Sequence, residues 1–245
     1  MSRDYGQLYP VAMAVMRPAF NFAWRYDVTG IENLPQNGGA IMAPNHTSVI
    51  DSFFLPVVLP RRITYIGKAE YLDGWKTKHL FPALGMIPVD RKGGNAAAAA
   101  LDAAAGVLDD GELFGIYPEG TRSRSGNLHK GHTGVSRLSM RTGAPVIPVG
   151  LVGIREVQPP DQPLPNPFMT VGINLGNPLR HGPHADGDDP RVHRAFADRL
   201  MYEISQLSGQ TYVNEYANKK QSTSADGEAP LTPRRSSADV LAGAT

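Results

Sequence analysis

Four short phrases of this 245-residue chain hold the side chains best suited to move a proton or grip an anion. They are Asn45-His46-Thr47-Ser48-Val49-Ile50-Asp51, Gly85-Met86-Ile87-Pro88-Val89-Asp90-Arg91, Tyr117-Pro118-Glu119-Gly120-Thr121-Arg122-Ser123 and Val146-Ile147-Pro148-Val149. The first offers an imidazole, the natural base near neutral pH. A carboxylate close by can hold the second ring nitrogen, fix the tautomer and stabilise the imidazolium. The second and third phrases carry arginines, whose planar fork pairs bidentately with phosphate oxygens. Gly120 lets the backbone approach a ligand closely. A base, an orienting acid and cationic anchors together suit transfer of an acyl group to a phosphate-bearing alcohol. The chain has no cysteine, which rules out a thiol nucleophile, thiolate metal sites and disulfides.

Spacing alone does not single out the base. The pattern His-x4-Asp occurs four times, as His46/Asp51, His181/Asp186, His184/Asp189 and His193/Asp198. Only His46 follows a short apolar run, Gly39 to Pro44, that reads as a buried strand, and precedes a helix-compatible run, Val49 to Leu59. The carboxyl end of a strand entering a helix is where open α/β sheets place their ligands. Ser48-Val49-Ile50-Asp51 reads equally as a capping box, with Ser48 as the N-cap and Asp51 reaching back from the third helical position. The two readings are compatible, because a helix start holds a carboxylate rigidly.

The elements that must position these groups alternate in type. Strands are expected at Tyr26–Gly30, Ala40–Ala43, Ile63–Gly67, Met86–Val89, Leu113–Tyr117, Val146–Leu151 and Thr170–Leu175. Helices are expected at Asp51–Leu59, Trp75–Leu80, Asn95–Leu108, Gly134–Thr142 and Asp189–Leu207. This order implies an α/β fold, a single domain with a largely parallel central sheet flanked by helices. Residues 159–167 contain five prolines and must form an extended loop. From about Ala217 onward little apolar content remains, and residues 217–245 are expected to be a disordered tail.

Net charge is only +1, but windows 60–92 and 119–141 hold twelve of the 24 Lys and Arg against four of the 23 Asp and Glu. That basic field draws anionic partners: phosphates, coenzyme A, acidic carrier proteins or anionic lipid. Nucleic acid is not expected, because the basic residues do not alternate with aromatics as a stacking platform requires. Residues 1–25 lack the marks of a secretory signal. Their apolar stretch, Leu8 to Trp24, is broken by Arg17-Pro18 and falls short of the roughly 20 residues of a membrane span. It reads as an apolar or amphipathic helix, lying at a membrane interface or packed on the domain's own core.

The order and spacing of the four phrases resemble the glycerophospholipid acyltransferase family, which includes the lysophosphatidic acid (1-acylglycerol-3-phosphate) acyltransferases. The resemblance runs from about Tyr26 to Leu175 and makes residues 26–216 the expected acyltransferase domain. It implies an O-acyltransferase of phospholipid synthesis, with His46 as general base and Asp51 as its orienting acid. Arg91, Glu119, Gly120, Thr121 and Arg122 then bind the acceptor, with Lys68 and Lys130 as further anion ligands. For Glu119 and Arg122 the competing reading is a surface salt bridge. The family commonly has phenylalanine where Tyr117 stands. The reaction so implied needs no cofactor or metal: acyl-CoA or acyl carrier protein delivers the chain to a lysophospholipid, giving phosphatidic acid. The expected place of action is peripheral, at the cytoplasmic face of a membrane surface.

Glycerol 3-phosphate or another lysophospholipid would serve as acceptor on the same reading. Two readings of other classes remain. A metal-dependent hydrolase could draw on His181, His184, Asp186, Asp188 and Asp189, although these crowd one Pro/Gly-rich loop. A non-catalytic anionic-lipid-binding module would use the basic windows but leave the His46/Asp51 pair unexplained.

Overall fold

The computed structural model describes residues 8–68, 85–89, 96–182 and 189–217. Asp90 and Arg91, the helix expected at Trp75–Leu80, the loop residues His184, Asp186 and Asp188 and the tail after Ala217 lie outside the described residues. Lys68 closes a strand, but its side chain also lies outside them.

The chain begins with α1 (Tyr9–Ala23), followed by β1 (Trp24–Thr29), a 3-10 turn (Ile31–Asn33), β2 (Ala40–Pro44), α2 (Asp51–Val58), β3 (Ile63–Lys68) and β4 (Met86–Val89). After these come α3 (Ala96–Asp109), β5 (Leu113–Gly115), β6 (Leu128–His129), α4 (Gly134–Thr142), β7 (Val146–Val152) and α5 (Ile154–Val157). The described chain ends with β8 (Met169–Leu175), α6 (Pro190–Ser208) and β9 (Tyr212–Val213). Each strand expected from sequence is present: inner strands such as β2 and β7 are buried on both faces and leave unbroken apolar runs, whereas β1 and β8 alternate buried and exposed residues. The short helix α5, the 3-10 turn and the β6/β9 ribbon were not expected; elements of two to four residues carry no periodicity to read.

Among the described residues seven strands form one sheet in the order β1-β8-β7-β2-β5-β3-β4. All neighbours are parallel except β7 and β8. β1 follows β8, so these two strands run against the other five. Their amino ends therefore lie at the end of the sheet where β2, β5 and β7 finish. The sheet is packed on both sides. Alternate residues of β2 face opposite layers, Met42 toward Phe54, Leu55 and Trp24, Ile41 and Ala43 toward Leu108, Leu138 and Phe196. The Ala-rich helix α3 lets Ala104 and Ala105 lie close on the second layer.

α1 joins the first layer through one face. Tyr9 and Met13 are buried against Phe53, and the Phe20 ring meets Trp24 at 4.9 Å and Phe54 at 5.5 Å. Its Arg17 donates to the carbonyl of Leu59 at 2.9 Å. Helix α6 starts cleanly, with the Asp189 carboxylate accepting from Arg191 N–H at 2.8 Å and Pro190 in the first turn, and ends at Gly209 in the left-handed region.

Candidate functional site

The segment from Asn45 to Ile50 connects the carboxyl end of the central strand β2 to the start of α2. Asn45 fixes its root: the side-chain oxygen accepts from Leu151 N–H at 2.7 Å, and the amide donates to Leu151 O and to the Gln210 side chain. One residue on, His46 Nδ1 lies 2.9 Å from Asp51 Oδ2. Asp51 is fully buried at the first turn of α2, and the same oxygen accepts from the backbone N–H of Thr47 at 2.7 Å and Ser48 at 3.0 Å. Three groups thus converge on one oxygen of Asp51 at the amino end of α2. With Nδ1 turned to Asp51, Nε2 is the ring nitrogen of His46 left without a protein partner among the described residues.

The capping box forms only in half. Asp51 does reach back to Ser48 N–H, but the helix starts at Asp51, with Ile50 in the cap position and no side-chain cap. Ser48 Oγ instead donates to Gln158 Oε1 at 2.5 Å, and the same oxygen accepts from Ile50 N–H at 3.3 Å. The hydroxyl is used to tie this loop to the segment after α5.

Tyr117 covers one face of the His46 ring. Its ring stacks on His46 with centroids 3.8 Å apart and planes 17° from parallel, and its hydroxyl shares a 2.7 Å hydrogen bond with Ser52 Oγ. A phenylalanine here could stack but could not make that bond. Burial raises the Tyr117 phenol well above its ordinary value, so the ring remains neutral beside the imidazole. Tyr65 stacks behind it at 5.9 Å, in space left by Gly115, whose missing Cβ would stand 2.1 Å from the Tyr65 ring.

Glu119 is 1% exposed and faces inward. Its two oxygens accept from His46 N–H at 3.2 Å and His129 N–H at 2.9 Å, so no salt bridge to Arg122 forms. Burial pushes its carboxyl up to about 7, against the lowering effect of those two N–H groups. Ser123 N–H donates to His46 O at 2.7 Å, a second tie between the first and third phrases. Gly120 adopts φ +71°, close under His132, which turns the chain so that Thr121 is half-buried and Arg122 exposed. Of the expected acceptor ligands in this phrase, Arg122 thus presents its cation to solvent while Glu119 holds backbone.

Lys130 lies away from this cluster. Its ammonium sits 5.6 Å over the Tyr216 ring and lines a cleft of about 320 Å³ with Arg194, Asp198, Tyr202 and Tyr212. Among the described residues no three His, Asp or Glu converge as metal ligands. His181 turns its Nε2 to Ser136 and stacks on Phe196, while Asp189 caps α6. The His193/Asp198 pair does not meet: His193 Nδ1 bonds Ser136 Oγ at 2.8 Å and Asp198 accepts from Arg194. Sequence reasoning passed over Ser52, Gln158 and Gln210, since partners 65 to 165 residues away leave no local signal.

A parallel sheet with a buried-carboxylate histidine at its central strand end is a recurrent enzyme arrangement, and comparison with known proteins defines the class. The profile of the family described as Acyltransferase matches residues 25–152, just over half of the chain, and the chain belongs to that family. A 1-acyl-sn-glycerol-3-phosphate acyltransferase of Borreliella burgdorferi is 31% identical over 124 residues, covering 51% of this chain and 50% of that protein. The chloroplastic 1-acyl-sn-glycerol-3-phosphate acyltransferase LPAT1 of Arabidopsis thaliana is 26% identical over 168 residues, 66% of this chain and 46% of the plant protein. The chain therefore spans about half the length of these relatives. The crystal structure of the 1-acyl-sn-glycerophosphate (LPA) acyltransferase PlsC from Thermotoga maritima superposes with a TM-score of 0.65 at 21% identity, over 81% of this chain and 79% of that one, and shares the fold.

Proposed function

We propose that this protein transfers an acyl chain from an acyl thioester to a free hydroxyl of a monoacylglycerol phosphate, yielding phosphatidic acid for phospholipid synthesis. The observation that carries the reading is the His46–Asp51 pair, 2.9 Å apart, with Asp51 sealed and His46 15% exposed. Nε2 of His46 takes the proton of the acceptor hydroxyl as its oxygen attacks the thioester carbonyl. The tetrahedral adduct then expels the thiolate, which receives the proton back from Nε2, so no acyl-enzyme forms. Asp51 stabilises the transient imidazolium without taking the proton itself. Arg122, exposed and next in sequence to the Ser123 whose N–H bonds His46 O, is the anchor for the acceptor's phosphate, and Thr121 adds a hydroxyl. Arg91 and Lys68 complete the anion site on this reading.

No described helix is long and apolar enough to cross a membrane. The enzyme acts on this reading from a membrane surface at the cytoplasmic side, where both acyl-CoA and acyl carrier protein are available. The test is turnover by purified full chain with either donor against lysophosphatidic acid, glycerol 3-phosphate and a lysophospholipid of blocked phosphate. Fastest turnover is expected with lysophosphatidic acid. Equal use of the blocked acceptor would remove Arg122 from the mechanism, and no turnover with any pair would overturn the reading.

A further inference from the structure

The chain leaves α6 at Gly209, whose φ of +70° turns it back toward Asn45 at the carboxyl end of β2. The segment that follows is laced to the loop between β5 and α4. β9 pairs with β6, Leu128 N–H donates to Thr211 O at 2.9 Å, and Lys130 N–H donates to Glu215 O at 3.0 Å. Gln210 stands at the head of this ribbon. Its backbone is fixed by Ser205, whose Oγ donates to Gln210 O at 2.9 Å, and by Ser208, whose Oγ accepts from Gln210 N–H at 3.3 Å.

The Gln210 side chain joins two segments that lie far apart in sequence. Oε1 accepts from Asn45 Nδ2 at 2.8 Å, and Nε2 donates to Gly126 O at 2.7 Å. The partners determine which way both amides face. Asn45 Oδ1 must meet the Leu151 N–H, which leaves Nδ2 for Gln210, and Gly126 O can only accept. Gly126 is itself closely held. It adopts φ +84°, a Cβ there would stand 2.6 Å from Arg155 Nη1, and that nitrogen donates to Arg124 O at 2.9 Å. Gln210 thus clasps the root of the His46 loop to the loop that carries Arg122.

We propose that Gln210 is a positioning residue for acyl transfer: by clasping Asn45 to Gly126 it sets the separation between Nε2 of His46 and the guanidinium of Arg122. The inference rests on the reading of His46 as base and Arg122 as anchor given above. The hydroxyl and the phosphate of one acceptor must meet both groups at once, yet the two groups belong to separate phrases of the sequence. Two ties already join those phrases, His46 N–H to Glu119 and Ser123 N–H to His46 O, and both engage His46 itself. Gln210 adds a third contact outside them, before His46 on one loop and after Ser123 on the other, and stops one loop hinging against its neighbour. A misplacement of about 1 Å between reacting groups costs on the order of a hundredfold in rate. Gln210 lies beyond residues 25–152, so the segment that matches the family receives this clasp from outside itself.

The test uses the full chain in two arms. In the first, Gln210→Met keeps the length of the side chain and loses both bonds. With lysophosphatidic acid kcat is expected to fall about tenfold, while KM for the acyl donor stays within about twofold. Gln210→Glu separates positioning from packing. Its ionised carboxylate still accepts from Asn45 but opposes Gly126 O; once protonated it donates to that carbonyl and restores the clasp. The ratio of its kcat to that of wild type is therefore expected to rise as pH falls from about 8 to about 5. A loss of packing alone would leave that ratio flat. Gln206→Met, on the exposed face of α6, is expected to match wild type.

The second arm is hydrogen exchange without substrate. Gln210→Met is expected to speed exchange in residues 45–50 and 124–130 together and to leave α3 unchanged. A wild-type kcat for Gln210→Met, a flat ratio for Gln210→Glu, or faster exchange in only one of the two segments overturns the proposal. Absence of turnover by wild type, with the exchange pattern as expected, would overturn the functional reading and leave the clasp standing.

Discussion

Two histidine clusters flank the central strand, and they share more than they differ. His46 stacks on Tyr117 and contacts Asp51; on the other face, His181 stacks on Phe196 at 4.2 Å and both His181 and His193 share the Ser136 hydroxyl. Both pair an imidazole with a ring and a polar partner. The difference lies in access and in what the carboxylate does. Ser136 is fully buried and His193 is 2% exposed, so neither can meet a substrate. The carboxylate spaced for His193, Asp198, is spent on Arg194. Burial lowers His181 below its ordinary value, which keeps it uncharged. A histidine becomes a base when an acid holds one nitrogen and the ring still reaches solvent; without those conditions the same residue fastens one helix to another.

The comparison breaks most sharply at the histidines themselves. His46→Ala is expected to cut turnover by about a hundredfold or more with little change in melting temperature. His193→Ala should show the inverse, near-normal turnover and a loss of about 1–3 kcal/mol in stability, because a buried ring is removed and Ser136 keeps only its longer contact to His181. Equal catalytic losses would erase the distinction. The next effect in size concerns the anion. Arg122→Ala should raise KM for a phosphorylated acceptor about tenfold, from a lost charge-assisted contact, and leave KM for the acyl donor almost unchanged.

A smaller effect tests whether the ring on His46 is positioned or merely packed. Tyr117→Phe keeps the stack and loses the bond to Ser52, so kcat should fall a few-fold, and Ser52→Ala should fall alike. The double variant is expected to be no worse than either single, because both remove one interaction. Independent, additive losses would mean that the hydroxyl contact does not act through the ring.

The smallest effect is on stability against pH. Folding raises the Glu119 carboxyl from 4.5 to about 7 through burial. The native state therefore binds the proton more tightly than the unfolded chain does. The sign follows: this contribution to stability is full below pH 4.5 and is lost as pH rises through 7. Glu119→Gln should flatten that decline, while lowering stability at every pH because one N–H of His46 or His129 loses its acceptor. A slope identical in wild type and variant would place the titration elsewhere.

The fold was legible because its inner strands are buried on both faces and β1 and β8 alternate cleanly, and helix α4 was legible to the residue from its amphipathic run and Gly143 stop. The contact between His46 and Asp51 was legible from a strand-end address shared by none of the other His-x4-Asp pairs. What the sequence hid was the second use of each group. Ser48 looked like a cap but bonds Gln158; Glu119 looked like a ligand but holds the backbone of His46 and His129. In both cases the deciding partner is far away in sequence or is a main-chain group, and neither leaves a trace in residue type or spacing.

The sheet order has a consequence for how the molecule is made. β1 is attached to the sheet through β8 alone, and β8 is synthesised some 140 residues later. The loop that carries His46 waits longer still: Ser48 needs Gln158, and Asn45 needs Gln210. Contacts this distant along the chain close slowly and late. A ribosome that has released residues 25–152 has emitted His46 and Asp51 but not Gln158 and Gln210, which hold their loop. The first strand made is among the last to find its place, and the loop that carries His46 is fastened only once the last described helix has been made.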